Sequence, residues 1–224
     1  MDKLVHNLLS CEFHKKAEAK KVYFKKSTKN IEVYTYADGY AYKAPYRFFE
    51  ERIFDEALFD AAVEKCFPQA IKRKEWYYSA ASLAEMTKAD CDVRLLGRDD
   101  QRLVDALLAS CTQAEQSVAM ISCQADIHPI GAFVGGRLAA VSTLDVTWKL
   151  FDVALIVHPA YRNKGLGTYL AWLNSEYALQ MKGIAMYRID EDNVPSRKIA
   201  EKLGYQRKAE GLFYEWGVED GSID

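Results

Sequence analysis

The stretch FDVALIVHPAYRNKGLGTYL, residues 151–170, constrains the fold more than any other part of the chain. Its first seven residues, FDVALIV, are an apolar run that stops just before Pro159, as a strand buried on both faces would. A short basic loop then passes through Gly165-Leu166-Gly167-Thr168 into a helical pattern. Leu166, Leu170, Leu173, Tyr177 and Met181 lie on its stripe, and Lys182-Gly183 ends it near residue 181. A helix N-terminus leaves N–H groups without partners and carries roughly half a positive charge. Glycines at that point let a diphosphate reach those amides with no Cβ in the way. Arg162 and Lys164 add charge at the rim.

Two other phosphate-binding patterns do not fit. GxxxxGK[ST] occurs nowhere in the chain. GxGxxG should follow its strand directly, but Gly165 comes eight residues after Val157, and Leu170 stands where a third glycine belongs. The plain alternative is a helix start relaxed by glycine that binds nothing.

The surrounding pattern supplies the rest of an α/β or α+β domain with one mixed sheet. CDVRLLG (91–97) reads as a strand, and Asp99 or Asp100 caps a helix through Leu103, Leu107 and Leu108. PIGAFVGGRLAAVSTLDV reads as two strands about Gly135-Gly136. IAMYRI (184–189) is another strand. Pro195 and Gly204 frame a helix carrying Ile199 and Leu203, and GLFYEWGV closes the chain as a strand. From residue 91 the order is β-α-β-β-β-α-β-α-β.

Before it, residues 2–20 fit an amphipathic helix with Leu4, Leu8 and Cys11 on one stripe. VYFKK (22–26), IEVYTY (31–36) and YAYKAPYRF (40–48) read as strands, with a hairpin at Ala37-Asp38-Gly39. Residues 54–66 fit a helix with Leu58, Ala62 and Cys66 on its face. The polar MTKAD (86–90) marks a boundary, so the division expected is a 1–90 α+β extension and a 91–224 domain.

Composition narrows the function. Half of the 224 residues are hydrophobic, enough for a sizeable core. Thirty basic against thirty-two acidic residues, a formal charge of −2, argues against a protein built to grip nucleic acid. Lys15, Lys16, Lys20, Lys21, Lys25, Lys26 and Lys29 form a local basic region, which reads as a solvated face. No apolar run approaches the ~20 residues of a membrane span, and the N-terminus does not read as a secretory signal. Cys11, Cys66, Cys91, Cys111 and Cys123 are scattered and never spaced CxxC, as reduced thiols in the cytoplasm are. His6, His14, His128 and His158 show no ligand spacing, and the calcium-loop pattern from Asp190 fails at Pro195, so no metal is expected.

The strand, the V-x-P-x-x-R-x-x-G-x-G loop, the next strand, Asn193-x-x-Ser196 and LGY (203–205) occur in that order. Here the sequence resembles the GNAT superfamily of acyl-CoA-dependent N-acetyltransferases over about residues 91–216. NVPSRKIAEKLGY is similar to the branch that includes the ribosomal-protein alanine acetyltransferases.

The resemblance implies a mostly antiparallel sheet with acetyl-CoA between the strand ending at Val157 and that at 184–189. The amides of Asn163, Gly165, Gly167 and Thr168, with Arg162, Lys164 and Leu166 in the same loop, would hold the pyrophosphate. Ile156 and Val157 would offer backbone groups to the pantetheine arm, with the Val157 N–H facing the thioester carbonyl. Asn193 and Ser196 would touch that arm, although both residue types also cap helices. Asp152, ten residues before Arg162, is the candidate base, at a position where relatives often carry glutamate; a plain polar strand end is the alternative. The tyrosine that many members use as an acid is Ala200 here. Tyr205, Tyr214 or water could replace it, and none is assigned.

The implied activity is transfer of an acetyl group to a primary amine of a small molecule or peptide, by direct attack in a ternary complex. Two alternatives stand beside it: a non-catalytic acyl-CoA-binding module or sensor, and a toxin acting on aminoacyl-tRNA. The oligomeric state is open, a homodimer included.

Overall fold

A computed structural model describes residues 4, 23–26, 30–37, 39–44, 55–119, 121, 128–147 and 149–215. The amphipathic helix expected over 2–20, Asp38 of the first hairpin, Cys11, Cys123, His6, His14 and most of the N-terminal lysines lie outside these residues. Two compact units divide the chain: residues 1–77, 189–192 and 207–224, and residues 78–188 and 193–206. These are not the contiguous segments 1–90 and 91–224.

In the first unit the strands are β1 (Tyr23–Lys26), β2 (Asn30–Tyr36), β3 (Gly39–Ala44), most of β4 (Ile71–Ala80) and β10 (Gln206–Glu215), in the order β1-β3-β2-β10-β4. The expected hairpin pairs Tyr36 with Gly39. The last strand of the chain returns to lie antiparallel to β2, from Ala209↔Tyr36 to Glu215↔Asn30. Helix α1 (Glu56–Cys66) starts at Asp55, whose side chain accepts the Leu58 N–H at 3.0 Å. It buries Phe59 and Val63 against Ile31, Val33, Tyr40, Tyr42, Leu212 and Tyr214. The stripe read from the sequence was Leu58, Ala62 and Cys66. Instead Leu58 and Cys66 are exposed, and the face is set by the larger Phe59, one residue along.

The second unit carries β5 (Asp92–Leu95), α2 (Gln101–Ala109), α3 (Gln113–Ala119), β6 (Ile130–Val134), β7 (Arg137–Thr147), β8 (Leu150–Val157), α4 (Leu166–Gln180), most of β9 (Ile184–Asp190) and α5 (Val194–Lys202). Strands β9-β8-β7-β6-β5 form its sheet, with β5 to β8 antiparallel and β8 parallel to β9. The expected order is reproduced with α3 added. The sheet is mixed and flanked by helices, as the sequence implies. Gly135 and Gly136 make the β6–β7 turn with φ of 55° and 76°, the left-handed pair a two-residue hairpin requires.

The two sheet faces take different helices. Ile156 and Val141 pack with Val104 and Leu107 of α2, while Leu155, Val157 and Ala140 pack with Leu166 and Leu170 of α4. On α4 the buried stripe is Leu166, Gly167, Leu170, Ala171, Asn174, Ser175 and Ala178, and Met181 lies past the end, 56% exposed. Small residues let this helix lie close to the sheet. Asn174 donates to Ser142 Oγ at 2.8 Å, and Ser142 donates to the Ala154 carbonyl at 2.9 Å. No helix among the described residues is long and apolar enough to cross a membrane.

Candidate functional site

Pairing between β8 and β9 covers only Leu150↔Ile184, Phe151↔Ala185 and Asp152↔Met186. β8 runs on to Val157, paired with β7 throughout. Past Asp152, therefore, the edge of β8 that faces β9 opens. The His158 N–H donates to the Ala139 carbonyl at 2.9 Å, so alternation turns the backbone of Ile156 toward β7 and that of Leu155 and Val157 toward the opening. Of the two residues expected to offer backbone groups there, Val157 is in phase with the opening and Ile156 with β7.

The loop after β8 is held by itself. His158 Nδ1 accepts the Ala160 N–H at 3.2 Å, which gives this histidine a capping task. Asn163 and Gly165 adopt left-handed φ of 62° and 79°, and Gly165 caps α4 without any side-chain hydrogen bond. Among the described residues no backbone acceptor meets the N–H groups of residues 163–168. Six successive donors around two left-handed residues at a helix N-terminus are the kind of arrangement that suits an anion. Gly167 has a packing role as well. A Cβ there would lie 3.1 Å from both Leu155 Cδ2 and Val157 Cγ2, and 3.6 Å from Ile199 Cδ1. That position is where β8, α4 and α5 converge.

The two cations of the loop differ. Arg162 gives its Nε to the Val157 carbonyl at 3.1 Å and an Nη to Glu115 at 2.9 Å, so it braces the loop. Glu115 in turn accepts the Thr112 N–H, which, with Arg162 helping against partial desolvation, holds its carboxyl below the usual range. Lys164 lies 5.2 Å above the Tyr161 ring and carries the rim charge.

At the other wall of the opening, Asn193 Oδ1 accepts the Ser196 N–H at 3.1 Å and caps α5, with Pro195 in the first turn. The Asn193 side chain is thus engaged locally. Asp152 accepts the Arg188 N–H at 3.2 Å and lies 3.4 Å from Arg188 Nε. The Arg188 guanidinium thus stands beside the Asp152 carboxylate. Among the described residues no three His, Cys, Asp or Glu side chains gather as a metal site would need.

Residues 101–205 match the model of the acetyltransferase (GNAT) family. They are a GNAT acetyltransferase domain. The fold is shared with solved structures at low identity. A GNAT-family protein of Novosphingobium aromaticivorans is 16% identical, with 67% of this chain and 69% of that one covered and a TM-score of 0.51. A GNAT-family acetyltransferase of Colwellia psychrerythraea is 13% identical, with 72% and 63% covered and a TM-score of 0.52. A GCN5-related N-acetyltransferase of Sphaerobacter thermophilus is 12% identical, with 75% and 58% covered and a TM-score of 0.56. The chain thus spans less than two thirds of the last two. No curated protein matches the sequence.

Within the GNAT domain, Ala200 is fully buried and offers no proton. Tyr205, considered as a stand-in, shares a 2.6 Å hydrogen bond with Ser175. Tyr214 donates to Asp60 in the first unit at 2.5 Å. Tyr187 is the residue that pattern reading passed over, because an aromatic in IAMYRI looks like core. It is 4% exposed, and its hydroxyl lies beside the Ser196 side chain yet makes no hydrogen bond of ordinary geometry. Leaving such a group unmet costs about 1–3 kcal/mol.

Burial pushes the Tyr187 phenol up to about 12, with Ser196 opposing the shift and the Asp152 charge adding to it. A pKa raised above the unfolded value of ~10 means that the contribution is whole below pH ~10 and is lost as pH climbs toward 12. Denaturant melts between pH 9 and 11.5 should therefore fall more steeply for the wild type than for Tyr187→Phe. The difference should approach ~1.4 kcal/mol per pH unit at the top of the range.

Proposed function

We propose that this protein transfers an acetyl group from acetyl-CoA to the primary amine of a small molecule or peptide, by direct attack within a ternary complex. The observation that carries the reading is the meeting of unmet N–H groups at 163–168 with the opening between β8 and β9. The donors suit a pyrophosphate, and the unpaired edge of β8 suits an amide-bearing arm that adds to the sheet as a strand would. The Val157 N–H, in phase with that opening, suits the oxygen of a thioester as charge develops on it.

In the reaction the amine nitrogen bonds to the thioester carbon, the C–S bond breaks, and its electron pair leaves on sulfur. The proton shed by nitrogen goes to Asp152, directly or through a water. Cys66, Cys91 and Cys111 are free thiols, as a reducing cytoplasm would keep them.

Titration calorimetry with acetyl-CoA tests the reading. Micromolar binding is expected, followed by CoA release when a panel of amines and peptides is added. Absence of heat at high micromolar cofactor would overturn it. Binding without release across the panel would favour a sensor instead. Salt-dependent binding of aminoacyl-tRNA would favour the toxin reading.

A further inference from the structure

Resting on the acetyl-CoA reading, we infer that Asn174, oriented by His128, is a positioning residue. It sets α4 against β8 so that the donors at 163–168 and the open edge of β8 hold one ligand together. A chain of hydrogen bonds joins the helix to the strand. His128 Nδ1 lies 3.0 Å from Asn174 Oδ1, Asn174 Nδ2 donates to Ser142 Oγ at 2.8 Å, and Ser142 Oγ donates to the Ala154 carbonyl at 2.9 Å. Asn174 and Ser142 are wholly buried, where an apolar pair would have packed at no polar cost. Ala154 follows Asp152, the last residue of β8 to pair with β9, by two positions. The chain therefore ends on the stretch of β8 whose outer edge is open.

The direction of each bond is forced. A carbonyl oxygen only accepts, so the Ser142 hydrogen goes to Ala154 and the Ser142 oxygen accepts from Asn174. The Asn174 amide thus turns its NH2 to Ser142 and its oxygen to His128, and the imidazole must carry hydrogen on Nδ1. His128 is held for that task, its ring flat on Tyr177 with centroids 3.9 Å apart and planes at 14°. Without this donor the amide is free to turn over. Its oxygen would then take the Ser142 hydrogen, and Ala154 would lose it.

Position follows from direction. Apolar contacts let a helix slide or turn on a sheet, whereas a hydrogen bond weakens steeply as its geometry departs from the ideal. Leu166, Leu170 and Ala140 supply contacts of the first kind, and the buried chain supplies the second. Gly165 caps α4, so a slide of the helix carries the 163–168 donors with it. A ligand lying on both those donors and β8 has a fixed length between its diphosphate and its arm. It gains from both walls only while they keep their spacing.

The test compares CoA with ADP, which carries a diphosphate but no such arm, by calorimetry at up to millimolar ligand. Wild type is set beside Asn174→Leu, His128→Ala and His128→Asn, the last of which puts an N–H donor where Nδ1 stood. Asn174→Leu and His128→Ala should each raise the Kd of CoA about tenfold and leave that of ADP within about twofold of wild type. His128→Asn should keep both ligands within about twofold, because the donor and not the imidazole holds the amide. CoA affinity unchanged in His128→Ala would overturn the inference while leaving acetyl-CoA binding in place. So would equal losses of CoA and ADP, or a His128→Asn variant as weak for CoA as His128→Ala. His128 is only half-buried, so these arms report even where Asn174→Leu does not fold. Failure of wild type to bind CoA would bring down the proposed function along with it.

Discussion

Gly165→Trp is expected to abolish CoA binding, with Kd raised at least a hundredfold, while the fold survives. The reasons lie in the same few atoms. Gly165 has φ of +79°, and a Cβ built there meets nothing within 4 Å, so an added side chain projects into open space in front of the α4 N-terminus. That space is where the N–H groups of residues 163–168 lack acceptors. An indole there would cover the donors and exclude a pyrophosphate. Stability should fall only by the strain of a non-glycine residue at positive φ, about 1–2 kcal/mol. For a chain of this length that is a drop in Tm of some 2–8 °C. Gly165→Ala separates the causes, because it carries the same strain with a far smaller obstruction. It should bind CoA within about tenfold of wild type. A tryptophan variant that binds CoA normally would mean that phosphates do not sit on these amides.

Much of this site can be read from the chain because it depends on residue types with few substitutes. Glycines at 135, 136 and 165 stand at backbone angles that other residues resist, so they mark the hairpin and the helix start directly. FDVALIV could hardly be other than a buried strand. The helix faces were less legible. Hydrophobic spacing singled out Leu58 and Met181, both of which are exposed. The helices present Phe59 on α1 and a stripe of Ala171, Asn174, Ser175 and Ala178 on α4. Small and polar residues become interior when a helix lies close to its sheet, and hydrophobicity is blind to that.

Strand β4 went unread for a related reason. In IKRKEWYYSA the first half is exposed and charged, with Lys72 paired to Glu56 and Asp60 and Lys74 to Glu56 and Glu210, so its alternation is hidden. The unmet hydroxyl of Tyr187 has no sequence signal at all. It is defined by an absent partner, which only the packed structure reveals.

Phe59→Ala should cost about 3–5 kcal/mol, the usual loss for a fully buried aromatic. The ring is wholly inaccessible, edge-on to Tyr42 at 6.0 Å between centroids and 5.8 Å from Tyr214. These partners come from β3 and β10, at opposite ends of the sequence, so the effect should not stay local. Amide exchange gives the pattern to check. The β2 amides of residues 31–36 and the β10 amides of residues 209–215 pair with one another and should speed up together, by a hundredfold or more. Amides of β7 and β8 in the second unit should keep their protection. If residues 209–215 instead stay protected along with β8, the last strand belongs energetically with the GNAT domain and a single boundary near residue 90 describes the chain. If they open with β2, the N-terminal segment is completed by the C-terminal strand, and truncating the chain before residue 207 would unfold the first unit.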